Sequence, residues 1–301
     1  METPRHVPLA DPFVFAHKGW FYLYGTNDAA PDEGLPVWRS RDALHWEKPQ
    51  LALRRGDAYG RRGFWAGCVL ARGGKFYLLY TANEQLAVAV SDSPMGPFVG
   101  VGGSREPMAS IGKEIDADWF VDKDGTVYIV FVRLGGGNRI FIARMNGDLS
   151  GYEMSSVREA MRAELPWENA SDANWPVVEA GNLYRRGDVY YLIYTANDFR
   201  NPKYAIGYAT GSSPFGPWTR HAGNPIQVES GNVHGTGCGQ LLTVGKQLYM
   251  IFHTHAATGV LPRRTARRKA RFVKQGNGLP ERLELYGDLE FMVDGVRVDF
   301  R

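Results

Sequence analysis

The chain has 301 residues, room for one large all-β domain or two average ones, and its 44% hydrophobic content is ordinary for a protein with a sizeable core. A net charge of +3 is too small for a general polyanion binder, so no nucleic-acid partner is expected. No apolar run approaches the ~18 residues of a membrane span, and two cysteines cannot build a disulfide framework or a four-cysteine zinc site.

The N-terminal METPRHVPLADPF lacks the apolar stretch of a secretory signal, which leaves a cytoplasmic protein or one secreted with its signal removed. The 36 glycines, 15 tyrosines, 15 phenylalanines and 8 tryptophans combine turn formers with strand-favouring aromatics and point to many short strands.

Those strands repeat. FYLYGT begins at Phe21, FYLLYTAN at Phe76, VYIVFV at Val127, YYLIYTAN at Tyr190 and LYMIFHTH at Leu248. Each follows a turn (HKGW, RGGK, KDGT, RRGD, VGKQ), and each turn follows another apolar run, so the unit is a hairpin. The index tyrosines Tyr22, Tyr77, Tyr128, Tyr191 and Tyr249 recur every 51 to 63 residues, enough for four short strands and their turns. An S-P-x-G-P-aromatic ending recurs in phase, from Ser93 to Phe98 and from Ser213 to Trp218. This spacing predicts one all-β domain over 1–301, a five-bladed β-propeller. A β-sandwich or jelly roll would have no reason to repeat at this period. The only helix expected is SSVREAMRAEL, Ser155 to Leu165, as an insertion between the third and fourth units.

In a propeller the innermost strand of each blade begins at the mouth of a central channel. Eleven residues before the index tyrosine stand Asp11, Ala66 and Cys238. Asp116 stands twelve before its tyrosine, and Glu179 twelve before Tyr191 or eleven before Tyr190. An acid at a strand start often only bonds nearby backbone amides. Three at matched places, converging on one hollow, would repel each other and lose hydration, an arrangement that signals chemistry or a cation.

These residues resemble glycoside hydrolase family 43, five-bladed propellers acting on arabinose- and xylose-containing glycans. The resemblance rests on ADPFVF (Ala10 to Phe15), FWAG (Phe64 to Gly67), IDADWFVDKDGTVYIVF (Ile115 to Phe131), VEAGNLYRRGDVYYLIY (Val178 to Tyr194) and LPVWRSRDALHWE (Leu35 to Glu47). It implies an inverting hydrolase with Asp11 as general base, Glu179 as general acid and Asp116, rather than Asp118, as the residue that orients the acid and raises its pKa. An inverting enzyme needs one ionised and one protonated carboxyl, ~6.5–9.5 Å apart with a water between. The expected substrate is an oligosaccharide or polysaccharide carrying terminal pentose. α-L-Arabinofuranosidase is the first reading, β-xylosidase and endo-α-1,5-arabinanase its rivals. Stretches 25–36 and 164–175 read as long loops able to wall the cleft into a pocket, which favours exo action.

The chain departs from the family's pattern in three places. Gly67 follows Trp-Ala where the family has Pro, Ala180 and Gly181 follow Glu179 where it has Gly-Pro, and Cys238 stands where it has His. That His often helps to hold a central calcium ion. A thiol is a poor ligand for calcium, so a metal is doubted and no cofactor is expected to be required.

The remaining features divide between site and scaffold. Trp65 is expected to wall a sugar subsite, whereas Trp119 and Trp175 are read as core. His253 and His255 share one strand face, with His253 taken as a sugar contact. Arg263, in the basic run PRRTARRKAR, is expected to reach the pocket, with a solvated edge strand as the alternative reading of that run. Cys68 and Cys238 are read as buried free thiols. A non-catalytic carbohydrate-binding propeller and a hydrolase centred on Cys238, with His234 as its base or with a metal, remain as readings of other classes.

Overall fold

Each aromatic run is the second strand of a four-stranded antiparallel sheet in the computed structural model, which describes residues 5–276 and 278–295. Sheet I comprises Ala10–His17, Trp20–Thr26, Gly34–Ser40 and Gln50–Arg54. Sheet II comprises Trp65–Arg72, Lys75–Ala82, Gln85–Ser91 and Val99–Gly100. Sheet III comprises Glu114–Val121, Val127–Leu134, Asn138–Arg144 and Arg158–Met161. Sheet IV comprises Val178–Arg186, Val189–Ala196, Ala205–Gly211 and Thr219–Arg220. Sheet V comprises Gly237–Val244, Gln247–Thr254, Arg264–Val273 and Arg282–Phe291. In each of these five sheets the strands follow in chain order, as hairpins dictate. Gly73 and Gly74, with φ of +59° and +77°, supply the two left-handed positions of a type I′ turn between the first two strands of sheet II.

The fold is an all-β propeller. First strands of successive sheets are neighbours, and that of sheet V returns to that of sheet I. The Gln240 side chain joins the two by accepting from Val14 N–H at 2.7 Å and donating to Val14 O at 3.1 Å. Apolar side chains fill each wedge between sheets. Tyr24, Leu35 and Val37 meet Phe64, Leu78 and Tyr80 between sheets I and II. Leu23, Trp38 and Trp46 meet Leu242 and Ile251 between sheets I and V. Each such side chain contributes about 1.5–3 kcal/mol on burial, so the ring is held by its wedges rather than by the axis.

Two expectations are corrected. The repeat predicts five sheets, and the described residues form six. In the sixth, Arg5–His6 runs antiparallel to Val293–Asp294, which runs parallel to His45–Trp46. Two-residue strands drawn from distant segments leave no periodic trace in a sequence. The expected helix at 155–165 is instead a 3₁₀ turn, Met154–Ser156, followed by Arg158–Met161, the outer strand of sheet III. Its apolar residues do fall at helical spacing, but a helix that short is marginal in isolation. The open edge of Asn138–Arg144 captures the segment through ladder bonds and the 2.9 Å pair Arg139–Glu159. No helix among the described residues is long and apolar enough to cross a membrane.

Candidate active site

A bulge interrupts the first strand of every four-stranded sheet at the same place. Inside it one residue turns left-handed: Asp11 (φ +48°), Ala66 (+48°), Asp116 (+51°), Ala180 (+51°) and Cys238 (+57°). Such a conformation costs a non-glycine residue on the order of 1 kcal/mol, and its fivefold recurrence marks it as part of the design of the ring. Counting from the index tyrosines finds four of the five. In sheet IV the left-handed residue is Ala180, eleven before Tyr191, and Glu179 precedes it. Glu179 therefore shares its repeat position with Trp65, Ile115 and Gly237, not with Asp11 and Asp116.

Four of the bulge amides are capped from the second strand of the preceding sheet. Thr26 Oγ1 accepts Ala66 N–H (3.0 Å), Thr81 Oγ1 accepts Asp116 N–H (3.1 Å) and Thr195 Oγ1 accepts Cys238 N–H (3.0 Å). His253 Nδ1 accepts Asp11 N–H at 3.0 Å and so closes the ring of caps between sheets V and I. Each cap stands four residues after its index tyrosine, a signal that the sequence carried unread. His253 is thus not the sugar contact expected of it. It is fully buried, stacks on Tyr204 at 5.7 Å, and orients Asp11. Burial, then the charge of Arg263, depress its pKa to about 3, so the ring is neutral, as its acceptor role requires.

Asp11, Asp116 and Glu179, from three sheets, line one cleft together with Trp65, Trp175 and Arg263. Asp118 instead lines the axial channel beneath, bonded to Asn182, and burial raises its pKa to about 6. Asp11 Oδ2 accepts from Thr26 Oγ1 at 2.6 Å. Its Oδ1 accepts from Arg263 Nη1 and from Cys238 Sγ, both at 3.1 Å. Burial acts to raise the pKa of Asp11, but Arg263 and these donors outweigh it and hold the carboxyl below its usual range. Glu179 accepts from Tyr204 Oη at 2.8 Å and from Asn138 Nδ2 at 2.7 Å. Burial dominates here, with Asp11 and Asp198 adding repulsion, and its pKa rises to about 7. Asp116 is raised well above the carboxylate range by burial, then by Glu179 and Asp11. The like-charge coupling expected to act on Glu179 is thus expressed at Asp116. One cleft holds an ionised carboxylate and two carboxyls that resist ionisation, the pairing that acid–base chemistry at neutral pH requires.

Arg263 reaches the pocket as expected, but its partners are acids. Asp28 accepts from its backbone N–H, Nε and Nη2 at 2.8 to 3.1 Å, and Phe199 lies under the guanidinium at 4.8 Å. Sequence reasoning missed Asp28, Tyr204 and Asn138. A signal existed for Asp28: it stands six after Tyr22, as Asn83 and Asn197 do after Tyr77 and Tyr191, and all three accept backbone amides from neighbouring loops. Tyr204 reaches Glu179 because Gly237 lies beneath its ring, where a Cβ would come within 1.9 Å. Trp65 stands at the cleft and rests on Gly63. Trp119 is core, its indole N–H on Cys68 O. Trp175 is not core but 49% exposed at the cleft rim.

Ligand atoms of Asp11, Cys238 and His253 lie within 4.8 Å of one another. They do not fit calcium. The set offers one carboxylate, a thiol that already donates to that carboxylate, and an imidazole whose Nδ1 is taken by a backbone amide. Cys238 does not fit a nucleophile either. Burial, with Asp11 and Asp116 next, pushes its thiol well above the usual range, and His234 turns away to Glu229.

A family model described as Glycosyl hydrolases family 43 matches residues 6–275. The chain belongs to glycosyl hydrolase family 43. It is 27% identical over 259 residues to a protein named Beta-xylosidase from Xylanibacter ruminicola, covering 70% of this chain and 77% of that protein. It is 30% identical to Xylosidase/arabinosidase 43A of Humicola insolens, covering 71% and 79%. Among solved structures, an endo-1,4-beta-xylanase from Bacteroides thetaiotaomicron VPI-5482 matches with a TM-score of 0.87 at 34% identity, over 96% of this chain and 98% of that one. This family 43 protein is an inverting glycoside hydrolase, and its substrate is an oligosaccharide or polysaccharide.

Proposed function

We propose that the protein releases terminal pentose from plant-type glycans, α-L-arabinofuranose first, in one inverting displacement. The observation that carries this is the meeting of Asp11, Asp116 and Glu179, from three different sheets, in one cleft. Asp11, kept ionised, takes a proton from water as the water oxygen attacks the anomeric carbon. Glu179, kept protonated, delivers its proton to the leaving oxygen as the glycosidic bond breaks. Asp116, itself resisting ionisation, lies between them in role: its carboxyl senses both and orients the acid. Solvent returns the proton from Asp11 to Glu179 after product leaves.

Exo action is supported by the walls of the cleft. Asp28 and Pro31, Glu84, Trp175 and Leu261 come from loops of sheets I, II, IV and V, and Leu134 from the end of a strand of sheet III, so that all five four-stranded sheets line the hollow. A five-blade count is supported by the same fact, since the small sixth sheet sends no residue to the cleft and acts as a clasp. A β-xylosidase is the second reading, favoured by relatives named Beta-xylosidase and Xylosidase/arabinosidase.

The test is a panel of aryl α-L-arabinofuranoside, β-D-xyloside and β-D-galactofuranoside, with the first-formed sugar followed by NMR. Arabinofuranoside turnover with inverted anomer is expected. Preference for the xyloside moves the protein to the second reading. Binding of sugar without turnover of any substrate would mean a carbohydrate-binding propeller.

A further inference from the structure

Trp175 stands out because it breaks the usual fate of a large aromatic. It is about half exposed, on the loop between the 3₁₀ turn Pro166–Asn169 and the first strand of sheet IV. Polar contacts hold one edge of it. Its indole N–H donates to Asn138 Oδ1 at 2.8 Å, and the following backbone is tied to the same residue by Asn138 N–H on Pro176 O at 2.9 Å. The ring is therefore fixed along one edge with area left open to the cleft.

The bond does a second thing. An indole N–H can only donate, so the Asn138 atom facing it must be the carbonyl oxygen. That forces the amide nitrogen toward Glu179 Oε2, 2.7 Å away. Trp175, Asn138 and Glu179 form one directional chain from the rim to the acid. A general acid hands its proton to the departing oxygen, so the departing sugar lies on Glu179's side of the cleft, which is the side that Trp175 overlooks.

We propose that the open area of Trp175 is the platform for the leaving-group sugar, a pyranose ring stacked by its C–H face, and that the same indole, through Asn138, sets the protonation of Glu179. Trp175 is then both a binding residue for the departing sugar and a positioning residue for the acid. This rests on the reading of Glu179 as general acid. A device of this kind favours substrates whose leaving group is a sugar, because only these need both the platform and the proton.

The test uses the full chain, two variants and two substrates of one glycone: a disaccharide with a pyranose leaving group, and the glycosyl fluoride, which needs neither platform nor proton. Trp175→Ala should lower kcat/KM on the disaccharide roughly tenfold or more, chiefly through KM, and leave the fluoride within about threefold. Trp175→Phe keeps an aromatic face and loses the N–H. It should keep KM for the disaccharide within about threefold, while the alkaline limb of kcat moves up by roughly half a unit to one unit, because the Asn138 amide, no longer held by the indole, donates less firmly to the ionised form of Glu179. Equal losses on both substrates, or an unmoved alkaline limb in Trp175→Phe, would overturn the proposal. A wild-type protein inactive on both substrates overturns the reading of the acid, and the proposal with it. Trp175 is half exposed, so neither change opens a core.

Discussion

Arg263 Nη1 lies 3.1 Å from Asp11 Oδ1 while the rest of the same guanidinium is held by Asp28, so one buried arginine ties the candidate base to a loop of its own sheet. The contact sets the charge of Asp11. Remove it, and the largest influence opposing burial is lost, so the carboxyl's pKa rises although the Thr26 and Cys238 donors remain. A base must be ionised to work, so the acidic limb of kcat/KM moves to higher pH. Arg263→Lys keeps the charge but loses the fork geometry. It is expected to shift that limb upward and to lower kcat/KM by roughly ten- to a hundredfold. Arg263→Ala also leaves two buried carboxylates unpaired and should cost about 3–5 kcal/mol of stability. A pH–rate profile and a thermal melt check both.

Cys238 donates its S–H to the same oxygen of Asp11. Cys238→Ser retains a donor and is expected to keep activity within roughly threefold. Cys238→Ala loses the donor and should move the acidic limb upward by about half a unit. Abolition of turnover by the serine variant, with the fold intact, would contradict this role and revive a thiol nucleophile.

Tyr204 and Asn138 are the two side-chain donors to Glu179. Each favours its ionised form, so Tyr204→Phe should raise the acid's pKa and carry the alkaline limb of the pH–rate profile upward. Gly237→Ala acts on the same contact from behind. The new methyl group would overlap the Tyr204 ring, and a loss of about 1–3 kcal/mol is expected with lowered kcat. Melting curves separate the two variants, since Tyr204→Phe keeps the packing.

Glu179 also makes a stability prediction. Its pKa in the folded state, about 7, lies above the value near 4.5 of a free glutamate. Below pH 4.5 both states hold the proton and the site costs nothing through ionisation. As pH rises from there to about 7 the unfolded chain ionises first, and stability falls. Above pH 7 the penalty is complete, on the order of 3 kcal/mol at most. Glu179→Gln should therefore melt higher than wild type at pH 8 and about equally at pH 4, while losing activity. A lower melting point at both pH values would contradict the account.

Much of this was legible in the sequence because the ring repeats. The index tyrosines give the strand order, the hairpins and the mouth positions, and Asp11 and Asp116 fall where the count puts them. Glu179 was found for a reason only partly right: it neighbours the left-handed residue instead of being it, since a bulge moves the side-chain pattern by one place. His253 looked like a sugar contact because a strand face cannot tell cleft from wedge. Trp175 looked like core because exposure of an aromatic depends on a loop whose path no periodicity fixes. The sixth sheet was missed because its strands come from distant segments, and the Arg158–Met161 strand because its ladder to Asn138–Arg144 overrides a helical spacing of apolar residues.

The account stands on the division of labour between Glu179 and Asp11, and leaving-group dependence measures it most directly. In Glu179→Ala, kcat/KM should fall by roughly a hundred- to ten-thousandfold for glycosides with poor, basic leaving groups, and little for those whose leaving group departs without a proton. A uniform loss across the whole leaving-group series would contradict the assignment of Glu179 as the acid.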